Sequence, residues 1–229
     1  MSGQASHIRA RESDLKESVM SKRTAGFTLI ELLVVIAIIG ALAAMASPMI
    51  RNARMKGKVT TTSSRIQEVS LAIDSFEGQW GDFPPSSFED YFETSGNRVD
   101  SGIESVVLCL ATRKKGGPFV TWKEDWLENL DGDSLASDEA MEKLDWYFVD
   151  NQLWECVDDF GSPLIYIQNK DYDDSFQVTH TEDGVQGTAT GARSEKTKVY
   201  HSLTTYQLWS SGSDQKNENG DGDDIGSWK

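Results

Sequence analysis

The apolar positions of this chain fall into one long unbroken block followed by short, spaced groups. From Phe27 to Ile50 the sequence reads FTLIELLVVIAIIGALAAMASPMI, 24 residues with Glu31 as the single charge. Such a run predicts a helix about 36 Å long at 1.5 Å per residue, enough to cross a hydrocarbon core of about 30 Å. A buried core helix and a secretory signal ending near Ala44-Met45-Ala46-Ser47 are the plainer readings. The first is too short of cover in a chain of 229 residues, and the second has too long an apolar region, with a carboxylate inside it. Beyond Pro48 the apolar residues change to helical spacing, at Ile66, Val69, Ile73 and Phe76. Pro48 is expected to kink the helix rather than end it. Gly78 and Gly81 close the helix and Pro84-Pro85 forbids its return, so the predicted rod covers residues 27–79, about 80 Å. Segments near 163–168, 174–180 and 198–209 read as strands. The expected fold is α+β, one long N-terminal helix on a small antiparallel sheet.

Charge divides the chain along the same lines. Residues 1–26 carry five basic and three acidic side chains, and residues 51–80 carry the same numbers, so each segment is net +2. Residues 81–229 carry twelve basic and thirty acidic side chains, net −18 of a total −15. That balance excludes nucleic acid as a partner, since phosphate binding needs a basic footprint. Arg9, Arg11, Lys16, Lys22 and Arg23 before the apolar run favour a cytoplasmic N-terminus, with the acidic remainder outside the inner membrane. Arg51, Arg54, Lys56 and Lys58 just after the run blur that rule. A lone carboxylate in a membrane helix costs about 2.5–3.5 kcal/mol, so Glu31 requires a partner from another molecule or a new terminus.

The stretch KRTAGFTLIELLVVIAIIGALAAMASP resembles the class III signal of prepilins and pseudopilins, the family of type IV pili and type II secretion. The resemblance rests on Lys22, Arg23, Gly26, Phe27, Glu31 and Pro48. It implies cleavage by a prepilin peptidase between Gly26 and Phe27, with Phe27 N-methylated. Residues 1–26 are then a leader, or residues 20–26 if Met20 is the start. The resemblance also gives Glu31 its partner, the N-terminal ammonium of a neighbouring subunit in a helical filament. Glu31 would set register there, because a stranded charge in a low-dielectric bundle is costly.

Downstream segments narrow the resemblance to the major pseudopilins of type II secretion. RIQEVSLAIDSFEGQWGDFPPS resembles the end of their helix, with Gly81, Phe83 and Pro84 in the G-x-aromatic-P part. GIESVVLCLATRKKGGPF resembles the following short helix and Gly-rich turn. DDFGSPLIYI resembles their D-P-W-G-N-P-Y-x-Y segment, with Phe160 where Trp is usual. Residues 120–157 are longer than the corresponding linker and read as an elaborated loop.

Residues 206–228 hold four glycines and five acids between apolar anchors, Tyr206, Leu208 and Trp209 before and Ile225 and Trp228 after. A solvated acidic tail is one reading. The other is a loop whose carboxylates are balanced by a cation, for which oxygen ligands suit Ca²⁺. It is not an EF-hand, since Lys216 and Asn219 stand where that motif needs an acid or amide and a glycine. The resemblance implies a calcium loop at 210–228. In it Asp214, Asp223 and Asp224 are ligands, a carbonyl near Ser211 adds another, and Asp221 is a substitute because the Asp214–Asp223 spacing is long.

Cys109 and Cys156 are not a C-x-x-C pair; outside the membrane they allow a disulfide, and a buried free thiol at Cys109 is equally compatible. The stretch from Asp131 to Glu139 begins D-x-D but fails the EF-hand pattern; it reads as a solvated turn, with a second bound ion as the alternative. No nucleophile elbow, zinc-protease or phosphate-loop motif is present, so no catalytic residue is assigned. The resemblance implies a structural subunit of a secretion pseudopilus, with copies of itself, other pseudopilins and an inner-membrane secretion platform as partners. A type IV pilin of an external fibre, and a membrane-tethered binding domain or enzyme, stay open as alternatives.

Overall fold

A computed structural model describes residues 26–87, 97–135, 145, 150–180 and 185–229, with the side chains of His180, Val185 and Gln186 left undescribed. The chain divides into two units, Met1–Pro48 and Met49–Lys229. One helix, α1 (Leu29–Trp80), accounts for 52 residues and includes Pro48, which does not end it. The continuation follows from the sequence, because strong helix formers and helical apolar spacing resume after the proline.

In the first unit the described side chains are exposed throughout. The apolar residues from Phe27 onward cover every face of the helix, so there is no polar side to turn to water. By length and composition α1 can cross a membrane near its N-terminus. The helix begins with a reciprocal cap. Thr28 Oγ1 accepts from the Glu31 amide at 3.3 Å, and Glu31 Oε2 accepts from the Thr28 amide at 2.8 Å and its hydroxyl at 2.7 Å.

In the second unit the predicted stripe is the buried face of α1. Ile66, Val69, Ala72, Ile73 and Phe76 join Ile103, Val106, Val107 and Leu110 of α2 (Ser101–Ala111) in one core. Leu164, Tyr166 and Leu208 close it from the sheet. The sheet has three antiparallel strands in the order β3 (Ile165–Gln168), β6 (Tyr206–Ser210), β7 (Ile225–Gly226). Ile165 stands opposite Trp209 and Gln168 opposite Tyr206. Strand alternation sends Ile165, Ile167 and Trp209 to the other face, where they meet Tyr172, Val178 and Ala189 in a second core. Gly102 lets α2 approach β3, since a Cβ there would lie 2.3 Å from the Tyr166 carbonyl oxygen.

Three details depart from expectation. The 174–180 segment does form a strand, β4 (Phe176–His180), but it pairs with β5 (Val185–Ala189) in a separate hairpin rather than joining β3 and β6. Only the last part of the 198–209 segment is a strand, because residues 194–205 form turns closed by the Arg193–Tyr200 bridge. The 120–157 segment is more than a loop. Its ends pair as β1 (Leu127–Glu128) and β2 (Glu155–Cys156), and Trp126, Leu135 and Leu153 are buried. Residues 136–144 and 146–149, including Trp146, lie outside the described residues.

Candidate functional site

Two places hold the residues singled out in the sequence, and each is built differently. At the N-terminal end, Gly26 and Phe27 precede the helix and are exposed, and Glu31 is one turn in. Both donors from Thr28 reach the same carboxylate oxygen of Glu31, so its charge is held by its own chain at the helix start. Acid in a first turn also meets the positive end of the helix dipole. Thr28 is a residue the sequence reading passed over. The T-x-x-E spacing of Thr28 and Glu31 before an apolar run was the available signal.

The C-terminal loop is a folded element rather than a free acidic tail. It leaves β6, passes a short turn at Gly212–Asp214 and returns as β7. Trp228 locks the return by stacking on His201 at 5.0 Å and meeting Trp209 edge-on at 5.9 Å. Asn217 Oδ1 accepts from Trp209 Nε1 at 3.0 Å.

The loop is tied to α1 through the turn at residues 157–162. Arg65, buried on α1, donates to the Val157 carbonyl and pairs with Asp159 at 3.0 Å. The Thr62 hydroxyl accepts from the Asp159 amide at 3.2 Å. Asp158 is buried and accepts from the amides of Phe160 and Ser162 at 2.8 and 2.9 Å. Its other oxygen accepts from the Ser210 hydroxyl at 2.5 Å, and that hydroxyl accepts from the Gly212 amide at 3.0 Å. Burial holds the Asp158 carboxyl above its ordinary value, and these donors oppose the rise. Gln215 donates to the Phe160 carbonyl at 2.6 Å and fixes the loop's outer arm.

Within the loop, the expected ligands separate into two groups. Asp214 and Asp223 are exposed neighbours: Asp223 Oδ2 accepts from the amides of Ser213 and Asp214 at 2.7 and 3.1 Å and from the Ser213 hydroxyl at 2.6 Å. These donors hold the Asp223 carboxyl below its ordinary value against the effect of burial. Asp224 is buried and turned elsewhere, accepting from the amides of Glu218 and Gly220 at 3.1 and 2.7 Å. Burial pushes its carboxyl up to about 7. Its second oxygen, Oδ1, is buried with no hydrogen-bond partner among the described residues. Ser211 is buried, and Asp221 is half-buried with its carbonyl accepting from the Asp224 amide at 3.0 Å. Glu218, not singled out in the sequence, raises the Asp224 carboxyl by its own charge. Cys109 and Cys156 are free thiols, half-buried and buried, so the disulfide left open by the sequence is not formed here.

A long helix with an apolar, exposed first half, packed in its second half on small antiparallel sheets, defines a pilin-like α+β architecture. Residues 21–47 match the family described as Prokaryotic N-terminal methylation motif. The chain is also similar to the Type IV major fimbrial protein FimA of Dichelobacter nodosus. The two are 28% identical over 141 residues, which cover 58% of this chain and 88% of that protein. No solved structure matches the chain. The motif and the relative support the type IV pilin and pseudopilin family, and the chain is type IV pilin-like with a prepilin-type signal.

Proposed function

We propose that this protein is a filament subunit, made as an inner-membrane precursor and assembled into the pseudopilus of a type II secretion system. Its N-terminus lies in the cytoplasm and its globular unit in the periplasm. Prepilin peptidase cuts after Gly26 and methylates Phe27. The subunit acts by packing against copies of itself and other pseudopilins above an inner-membrane secretion platform, and it turns over no substrate.

The observation that carries this reading is the first half of α1, whose apolar side chains are exposed on every face around a single acid. Bundling with identical helices keeps that surface from water once it leaves the lipid, where exposure would cost about 25 cal/mol per Å². The cap leaves Glu31 with one carboxylate oxygen not engaged by Thr28, ready for the ammonium of a neighbouring Phe27. Since the Thr28 amide survives a cut after Gly26, cap and intersubunit pair are compatible.

The C-terminal loop would hold Ca²⁺ through Asp214, Asp223 and Asp224, with Ser211 and Asp221 as further oxygen donors, and binding would have to draw Asp224 toward the Asp214–Asp223 pair from which it is now turned away. The buried, unpartnered Oδ1 of Asp224 is the feature that supports this. A cation there would tie β7 to the turn after β6. Chelation should then lower the melting temperature, and an unchanged melt would count against the loop as a cation site.

Co-expression with a prepilin peptidase tests the main reading. Intact mass should show a chain starting at methylated Phe27, and Glu31→Ala should be processed but fail to form filaments. A retained leader, or normal assembly of Glu31→Ala, would overturn it. The similarity to a fimbrial protein favours a second reading, an external type IV fibre. Deleting the gene separates the two: lost export of secreted proteins supports the pseudopilus, and lost surface fibres with intact export supports the pilus.

A further inference from the structure

The second unit buries a knot of carboxylates that the filament reading does not use. Glu104 comes from α2, Glu155 from β2, and Asp131 from the turn after β1. One carboxylate oxygen from each lies within 4.8 Å of the others. Glu104 is 2% exposed and Glu155 is fully buried. Asp133, two residues beyond Asp131, is buried beside them and raises Glu104 by its charge. Residues 131–135 are therefore no simple solvated turn, as their sequence had suggested, while residues 136–139 of that stretch lie outside the described residues.

Hydrogen bonding satisfies only half of this knot. Glu155 Oε2 accepts from the Leu130 amide at 3.1 Å, and Asp131 Oδ1 accepts from the Asp133 amide at 3.2 Å. The Asn97 side chain also bonds Asp131, and carboxyl-to-carboxyl contacts join Asp131 to Glu155 and Glu104 to Asp133. With the acids ionised, Glu104 Oε1, Glu155 Oε1 and Asp131 Oδ2 are buried without a hydrogen-bond donor among the described residues. The ion pairs among the described residues, Arg65–Asp159, Lys123–Glu68, Lys170–Asp82 and Arg193–Asp173, all lie elsewhere. A buried carboxylate without a partner is among the costliest groups a fold can contain. Burial first, and then the neighbouring acids, push the Glu155 carboxyl up to about 9 and hold Glu104 far above the ordinary carboxylate range. None of these ion pairs among the described residues offsets the charge of Glu104, Asp131 and Glu155, which leaves protons or a cation to do so.

One oxygen of each carboxylate converges on the other two, which is what a cation requires. Oxygens on one Ca²⁺ sit about 2.3–2.6 Å from it and so span at most about 5.2 Å, a diameter that matches the convergence of these three groups. The donors are all oxygen, which disfavours zinc. A buried site formed largely by protein suits Ca²⁺ better than Mg²⁺, which keeps most of its water.

We propose that Glu104, Asp131 and Glu155, supported by Asp133, bind one calcium-class divalent cation at a site separate from the C-terminal loop. The ion would staple the start of α2 to β2 and to the turn at 129–135, joining the elaborated 120–157 segment to the main core. Because such an ion binds the folded chain and not the unfolded one, it raises stability with its concentration.

The test uses the full chain in detergent micelles, stripped with chelator and dialysed against radioactive Ca²⁺ to count bound ions per chain. The double variant Glu104→Gln with Glu155→Gln should lose one calcium equivalent, since each amide keeps the shape but removes the charge. Asp131→Asn, at a half-buried position, leaves the core side chains in place and guards against a misfolded double variant. It should weaken that same equivalent by at least about tenfold. The loop variant Asp224→Asn should leave this equivalent intact, whatever it does to binding at the C-terminal loop. The inference is overturned if the Glu104/Glu155 and Asp131 variants bind as many ions as tightly as the wild type. It is also overturned if Asp224→Asn alone removes all bound calcium, or if the wild type binds none because protons alone neutralise the knot.

Discussion

Residues 29–48 and residues 62–76 belong to one helix and are both rich in aliphatic side chains, yet those side chains meet different surroundings. In the first stretch the large apolar residues are 42–82% exposed. In the second, Ile66, Val69, Ala72, Ile73 and Phe76 are at most 7% exposed, against α2 and the sheet. The sequence explains the contrast. The first stretch is apolar on all faces, and no globular surface could cover it. The second gathers all its large apolar residues but Leu71 into one stripe, which one layer of sheet and one short helix can cover. Half of this helix is thus matched by its own chain, and the other half presents a surface that only lipid or other subunits can match. On the proposed reading, stability and assembly are written on different parts of one element.

The contrast can be broken by truncating the same residue type in each stretch. Ile73→Ala removes a fully buried side chain and leaves a cavity, so it should cost about 2–5 kcal/mol in denaturant unfolding of the full chain in detergent. Ile36→Ala should leave that stability within about 0.5 kcal/mol, because nothing in the folded chain covers the residue. Equal losses from the two would show that the first stretch is covered by its own chain after all. Arg65→Leu sharpens the polar side of the contrast. Arg65 is buried on the covered face, holds the Val157 carbonyl and Asp159, and lies over the Trp126 ring at 5.0 Å. Its loss strands a buried carbonyl and a partly buried acid, and should cost about 3 kcal/mol, the lower end for a broken buried pair since Asp159 is a quarter exposed. The same measurement on Arg65→Leu also reports on the C-terminal loop, which hangs from the turn that Arg65 holds.

The helix and its two faces were legible in the sequence because both signals are local: an unbroken apolar run, then residues three and four apart. Glu31 stood out for the same reason, as a charge where none belongs, while its tie to Thr28 was readable only as a capping pattern. The strands β3 and β6 were visible as apolar alternation. The partner of β4 was not, because Val185–Ala189 contains a glycine and two polar residues and carries no strand-like alternation. The carboxylate knot was invisible for a deeper reason. Glu104, Asp131 and Glu155 are 27 and 24 residues apart, and each alone reads as an ordinary surface acid. Only the pairing of β1 with β2 beside α2 brings them together. In the C-terminal loop, composition announced a turn rich in acids, but the division of Asp223 and Asp224 between two sets of backbone donors depends on the turn at Gly212. There the backbone runs at φ +68, and a Cβ would lie 2.3 Å from the Asp223 carbonyl oxygen.

The smallest effect is expected where the helix has just ended. Asp82 pairs with Lys170, and its Oδ1 also accepts from Gln168 Nε2 at 2.9 Å. The bond from Lys170 is the first cause of a carboxyl held below its ordinary value. A lowered pKa places the stabilising contribution at neutral pH and removes it as pH falls through the carboxylate range. Both side chains are more than half exposed, however, so solvent and salt screen the pair. Asp82→Asn should therefore cost no more than about 1 kcal/mol at pH 7, and the difference from wild type should shrink as pH falls below the ordinary carboxylate value and in high salt. A loss as large as that of Arg65→Leu would mean that the pair is not screened as its exposure requires. The distinction between covered and uncovered stretches would then have to be redrawn at the helix end, with Asp82 and Lys170 counted inside the core.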